Sequence, residues 1–140
     1  MKRTDLAYIA GIIDGEGCIS VWSVASKKDG AKRHNIGVIL DMSEKPAIEL
    51  AQALFGGRIY HYPPRGHSKP ISRWQVSGEK AEIMLRAIKP YLLVKRAQAE
   101  VALRLLSIHP RGRHYTPMER FLQEIDAKAL KELKGGTTFT

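Results

Sequence analysis

Residues 9–17 read Ile9-Ala10-Gly11-Ile12-Ile13-Asp14-Gly15-Glu16-Gly17 and close a segment, Asp5 to Asp14, that is apolar almost all round. Leu6, Ala7, Ile9, Ala10, Ile12 and Ile13 leave no polar stripe, which predicts a helix buried on several sides. Thr4 is the expected N-cap, and Asp5 suits the positive first turn. Ala7, Gly11 and Gly15 recur at every fourth position and therefore share one face. Small residues on one face let a second backbone approach closely. Glycine inside a helix costs roughly 1 kcal/mol against alanine, so Gly11 points to a packing need. The plainer alternative is an ordinary buried helix with an incidental glycine.

Gly15-Glu16-Gly17 is the expected helix end, glycine being free to take the left-handed conformation. Asp14 and Glu16 sit where the helix carries partial negative charge, and carboxylates are disfavoured there by a few tenths to about 1 kcal/mol each. A cation or a neighbouring helix N-terminus has to compensate. A hard divalent cation takes carboxylate and carbonyl oxygens, and Glu16 with the Gly15 carbonyl offers both. Asp14 reads better as a helix-end hydrogen-bonding residue. Simple solvation or capping by both acids is the alternative.

Beyond this segment the chain predicts a hairpin, residues 18–27 (CISVWSVASK) and 33–42, turning at Asp29-Gly30. In the second strand Ile36, Val38, Leu40 and Met42 alternate with Asn35, Gly37, Ile39 and Asp41. Ser43 is the expected cap of a second helix that tolerates Pro46 in its first turn and stops at Gly56-Gly57. Its apolar face is Ile48, Ala51 and Leu54 or Phe55. Strands at 58–63 and 70–77 flank a loop rich in proline and glycine. Ser77 caps a third helix reaching Lys89 before Pro90, and Lys95 to His109 form a fourth. Thr116-Pro117-Met118-Glu119 combines a capping box with proline at the first helical position and starts a last helix ending near Lys134. The order is α-ββ-α-ββ-α-α-α, a single domain over 1–134 with a flexible tail at 135–140. Antiparallel hairpins with helices on one face leave the other face free.

The chain has 140 residues, 44% of them hydrophobic, enough for a real core. Its 23 Lys and Arg against 14 Asp and Glu give a net charge of +9 and a pI near 9.9, which favours a polyanionic partner, usually nucleic acid. Cys18 is the only cysteine, which excludes an intramolecular disulfide and a multi-thiolate zinc site. Without a visible signal peptide or an apolar run able to span a bilayer, the chain is expected to be intracellular and soluble.

The stretch Ile9–Gly17 resembles the LAGLIDADG motif, with conservative aliphatic changes, Gly15 for its second alanine and Glu16 for its second aspartate. The order α-ββ-α-ββ-α also resembles that homing-endonuclease family, over roughly residues 5–108. The resemblance implies an α+β core with an antiparallel DNA-binding sheet and additional C-terminal helices. It further implies that Glu16 and the Gly15 carbonyl hold Mg²⁺ or Mn²⁺, and that the motif helix packs on its twin through Ala7, Gly11 and Gly15. Only one such motif is present, and single-motif members resemble half an enzyme, so a homodimer about a two-fold axis is expected. Family members place a polar residue at the start of the second helix, here Glu44, and a lysine shortly after the third, here Lys95. Both would serve catalysis; the bland roles are helix-end charge compensation and solvation. Some members carry a basic residue where this chain has Ile48, with Lys45 the nearest substitute.

Alternation assigns the outward, DNA-reading positions. These are Ser20, Trp22, Val24 and Ser26 on the first strand, Asn35, Gly37, Ile39 and Asp41 on the second, and Arg73 and Gln75 on the fourth. The faces of the third strand stay open between Arg58, Tyr60, Tyr62 and Ile59, His61, with Arg58 and His61 taken as DNA contacts. Lys27, Lys28, Lys32, Arg33, Arg65, His67, Lys69, Arg111 and Arg113 suit phosphates, although solvation is as good a reading for any one of them. Strands of about ten residues span roughly 33 Å, one turn of duplex, so a dimer would cover roughly 20 bp of near-palindromic DNA. The expected activity is site-specific double-strand cleavage of the intron or intein homing type. A non-cutting splicing maturase with host intron RNA as partner, or a DNA-binding regulator, is the alternative on the same fold.

Overall fold

The apolar segment forms α1, Arg3–Glu16, which buries Ile9, Ala10 and Ile13 completely. The computed structural model describes residues 1–25, 32–108 and 115–135. The helix starts two residues before the expected Asp5, with Lys2 at the N-cap, and Thr4 makes no cap. It also runs through Glu16, and Gly17 is extended (φ −85°, ψ 172°), not left-handed. Gly17 is required for space instead. A Cβ there would lie 2.7 Å from Ile13 Cδ1 and 2.8 Å from Ile13 Cα, because the chain turns directly from helix into strand.

The strands are β1 (Gly17–Ala25), β2 (Lys32–Met42), β3 (Arg58–Tyr62) and β4 (Ile71–Ser77), in one antiparallel sheet of order β1-β2-β4-β3. The helices that follow are α2 (Lys45–Phe55), α3 (Gly78–Ile88), α4 (Arg96–Ser107) and α5 (Pro117–Gly135), with a 3₁₀ turn at Lys89–Tyr91. The architecture is the expected α+β order, and the predicted alternation holds. Ile19, Ile36, Val38, Leu40, Trp74 and Val76 are buried beneath the helices with Ile48, Ala51 and Phe55 of α2, Met84 and Leu85 of α3, and Leu105 of α4. The Trp74 indole donates to the Gly56 carbonyl at 2.8 Å, seating the α2–β3 turn. Gly56 and Gly57 both have positive φ (72° and 92°), and a Cβ on Gly57 would meet the Gln75 carbonyl at 2.6 Å.

Besides Thr4, two more predicted caps fail and one holds. The N-cap of α2 is Glu44 rather than Ser43, and Ser77, though at the N-cap of α3, makes no side-chain cap bond. At α5 the Thr116 hydroxyl accepts from Glu119 N–H at 3.1 Å while the Glu119 carboxylate accepts from Thr116 N–H at 2.9 Å, the reciprocal capping box. A polar seam joins α5 to the hairpin. Buried His34 meets Ser23 Oγ and Glu124 through its ring (3.2 Å each), and its N–H donates to Gln123 at 3.3 Å.

Candidate nucleic-acid interface and metal-binding end

The two carboxylates that close α1 have different surroundings. Asp14 accepts from the N–H groups of Leu93 (2.8 Å) and Lys95 (2.9 Å), in the turn leading into α4. Lys95, the N-cap of α4, sends Nζ back to the Asp14 carbonyl at 2.7 Å. Partial burial pushes the Asp14 pKa up, but the backbone N–H groups of residues 93–95 and the Lys95 charge outweigh it, and the net shift is downward. Asp14 is thus the structural hydrogen-bonding acid expected from the sequence, and the turn before α4 is its compensating partner. Glu16 is exposed and makes no ion pair among the described residues. The neighbouring Gly15 carbonyl belongs to the last helical turn, whose carbonyls have no intrahelical partners.

The same end gathers the other expected catalytic groups. Gly17, next to Glu16, pairs with Leu40 near the end of β2, and Glu44 stands exposed at the start of α2 just beyond. Ile48 is a core residue only 1% exposed, so α2 carries no cation at that position. Lys45 is exposed in the first turn of α2. Among the described residues no three His, Cys, Asp or Glu side chains converge to hold a metal. An exposed carboxylate beside a helix-end carbonyl is a hard-oxygen donor pair that fits a divalent ion once further oxygens complete its shell.

Ala7, Gly11 and Gly15 line an uncovered face of α1. All three are exposed, and a Cβ added at Gly11 or Gly15 would meet nothing within 4 Å. Tyr8 (52% exposed) shares that side, and the apolar Leu93 (81%) and Val94 (73%) stand beside the helix end.

The face of the sheet opposite the helices is polar and cationic. The register puts Ser20, Trp22 and Val24 of β1 with Asn35, Ile39 and Asp41 of β2, and these with Arg73 and Gln75 of β4, as expected, while Arg33, expected among the phosphate contacts, lies in β2 opposite Val24. It also decides β3. Ile59 pairs with inward Trp74, so Arg58, Tyr60 and Tyr62 face outward opposite Gln75, Arg73 and Ile71. His61, an expected DNA contact, instead points to the helix side, where its Nδ1 meets Ser72 Oγ at 2.9 Å. Gly37 is likewise not a contact. It is buried, and its missing Cβ would lie 2.7 Å from the Trp22 ring, which covers it.

The alternation in β4 was the signal for β3: with Trp74 inward, the short β3 follows by antiparallel pairing. Arg65, His67 and Lys69 are exposed in the β3–β4 loop. Ser26, Lys27, Lys28, Arg111 and Arg113, the Lys32 side chain and the predicted tail from 136 onward lie outside the described residues. The sequence reading missed two features of the outer face, the Arg73–Asp41 ion pair at 2.7 Å and the contact of Lys134 Nζ with Cys18 Sγ at 3.0 Å. Among the described residues no helix is long and apolar enough to cross a membrane.

No protein-family model matches the sequence, and a search of curated proteins finds no match. Solved structures do match. The homing endonuclease I-CvuI in complex with a DNA target is 22% identical, with a TM-score of 0.78 over 99% of this chain and 87% of that one. The archaeal intron-encoded homing endonuclease I-Vdi141I, complexed with DNA, is 18% identical over 93% of this chain and 84% of that one, with a TM-score of 0.76. The group I intron-encoded I-CeuI, also complexed with DNA, is 18% identical over 98% and 70%, with a TM-score of 0.66. This chain therefore has the homing-endonuclease fold.

Proposed function

We propose that the chain is a site-specific double-strand DNA endonuclease of the homing type, working as a metal-dependent homodimer. The observation that carries this is the joining of three features at one end of α1: an exposed Glu16, an uncovered small-residue face, and an outward sheet face rich in Arg, Tyr, Asn and Gln. Packing two copies of that α1 face about a two-fold axis would bring two Glu16 residues together beneath one duplex. The sheet face suits the major groove, with Arg33, Asn35, Arg58 and Gln75 as base-reading side chains and Arg65, His67 and Lys69 as phosphate partners. The solved structures of the same fold include I-CvuI on DNA with Mg and with Ca.

Glu16 and the Gly15 carbonyl would hold Mg²⁺ or Mn²⁺ with DNA and water oxygens completing the shell. Bound there, such an ion would supply Lewis-acid stabilisation of the phosphoryl oxygens. Glu44 orients the attacking water by accepting its hydrogen bond. The Lys95 ammonium, held at the Asp14 carbonyl, adds positive charge near the scissile phosphate, where negative charge grows in the transition state.

The test is cleavage of a randomised, palindrome-biased duplex library with and without Mg²⁺, by the native protein and by Glu16→Gln. The expected result is metal-dependent cutting of both strands at the centre of a two-fold site, lost in Glu16→Gln with DNA binding kept. Cutting that survives Glu16→Gln would remove the metal assignment. Tight, salt-sensitive binding by the native protein without cutting would favour the maturase or regulator.

A further inference from the structure

Arg73 and Asp41 face each other across β4 and β2 on the outward face and form a two-pronged ion pair. Arg73 Nε donates to Oδ1 at 2.7 Å, and Nη2 donates to Oδ2 at 2.8 Å. The guanidinium carbon lies 5.7 Å from the centre of the Tyr62 ring, which adds a cation–π contact on its flank. The partners are only partly exposed, at 39% and 40% of their side-chain surface, so the pair stands at the surface without being fully solvated.

This arrangement fixes the guanidinium. Asp41 occupies the Nε–Nη2 edge and leaves the end of the group, Nη1 and the second Nη2 hydrogen, as two parallel donors with no acceptor among the described residues. Two parallel donors match the O6 and N7 acceptors of guanine in the major groove, a pair that no other base presents. An arginine already held by a carboxylate and a ring has less rotamer freedom to lose on docking, which sharpens discrimination.

The position of the pair along the sheet is also defined. Asp41 follows Leu40, and Leu40 pairs with Gly17, the residue after Glu16. The pair thus occupies the end of the sheet nearest Glu16. Beside it is a cleft of about 270 Å³ lined by Tyr62, Arg65, Ser68 and Lys69, whose cations suit a flanking phosphate.

On the footing of the endonuclease proposed above, we propose that Arg73 reads a guanine in each half-site, at the end nearest the scissile bonds. Asp41 and Tyr62 are its positioning residues.

The experiment selects bound duplexes from a randomised, palindrome-biased library of roughly 20 bp, using the full chain in Ca²⁺ and sequencing the bound fraction. Native protein, Arg73→Lys, Arg73→Ala and Asp41→Asn are compared, with thermal melts to confirm folding. The native protein should select guanine at one inner position of each half-site. Arg73→Ala should lose that preference by roughly 10- to 100-fold while other positions keep theirs. Arg73→Lys keeps the charge but not the planar fork that Asp41 holds, so it should weaken the guanine preference even if Arg73→Ala misfolds. Asp41→Asn should weaken the preference yet bind unrelated duplexes more tightly, because a carboxylate has left the DNA-facing surface.

Selective binding without an inner guanine, or with the preference unchanged in Arg73→Lys, overturns the inference alone. So does a loss in Arg73→Ala that is uniform across all sequences. Failure of the native protein to bind any duplex overturns the endonuclease reading and the inference together.

Discussion

Asp14 and Glu16 stand two positions apart on one helix end, share its unfavourable dipole, and are used in opposite ways. Asp14 takes the N–H groups of Leu93 and Lys95 and joins α1 to the start of α4. Glu16 is exposed with no ion-pair partner among the described residues, beside the outward face of the sheet. The same charge is cheap to place where backbone donors converge and costly where they do not. A costly carboxylate persists when something absent from the lone chain uses it. The contrast separates an acid tied into the fold from one left open for the metal-binding role proposed above.

The strongest way to break the contrast is to neutralise each acid in turn. Glu16→Gln should lower cleavage on the order of a thousandfold, with melting temperature and DNA affinity nearly unchanged, since an exposed substitution moves stability by about 0.5 kcal/mol or less. Asp14→Asn should do the reverse, lowering the melting temperature first and cleavage only through Lys95. If Glu16→Gln destabilises the fold as much as Asp14→Asn does, the division of labour is wrong. Cleavage rate and thermal melting on the same preparations decide it.

Next in size is the uncovered α1 face between the two acids and the N-terminus. Gly11→Leu places a side chain where nothing lies within 4 Å, so the single chain should tolerate it. Helix propensity would even stabilise the monomer by up to about 1 kcal/mol. If that face is where two copies meet, the leucine should weaken self-association by roughly 100-fold, about 2.7 kcal/mol, read by analytical ultracentrifugation. Unchanged association would move the interface elsewhere, for instance to the exposed Phe121 and Ile125 of α5.

The Asp14 network has its own magnitude and pH signature. Asp14→Ala removes two hydrogen bonds to a charged acceptor and should cost about 2–3 kcal/mol in denaturant unfolding. The folded-state pKa of Asp14 lies below its ordinary 3.8. Its contribution is therefore complete above about that value and is lost as pH falls through the lower folded value. Asp14→Asn should accordingly flatten part of the acid limb of the stability curve below pH ~4 and leave the shape above it unchanged. A native-like acid limb in Asp14→Asn would separate the geometry from the energetics.

How far these roles could be read in advance follows the physics of each element. Period-two alternation in β2 and β4 was legible because one face is buried, so Ile36, Val38, Leu40 and Trp74 mark their faces themselves. The five residues of β3 alternate ring with ring, Tyr60 and Tyr62 against His61, and only pairing to Trp74 could orient them. Gly37 was misread because alternation gives a direction and not a cover; the Trp22 ring lying over it is a diagonal cross-strand contact with no one-dimensional signature. Asp14 was legible as a hydrogen-bonding acid, but its partners lie about 80 residues away, beyond any local pattern. Helix starts were the weakest reading. A serine or threonine near a helix start looks like a cap whether or not its side chain reaches back, and at Ser77 it does not.

The smallest expected effect tests whether α5 belongs with Asp14 or with Glu16. Its capping box, Thr116 with Glu119, lies at the opposite end of α5 from Lys134, whose ammonium reaches Cys18 beside Glu16. Between them Gln123 and Glu124 hold His34 of β2. Removing the cap should fray only the first turn, because the later turns are pinned by that seam and by buried Ala127 and Leu130. Thr116→Ala should therefore cost about 1 kcal/mol in unfolding and leave cleavage within about twofold. A larger loss of cleavage than of stability would mean that the whole helix shifts as a unit, and that Lys134 is held at the Glu16 end by a cap formed at the far end of α5.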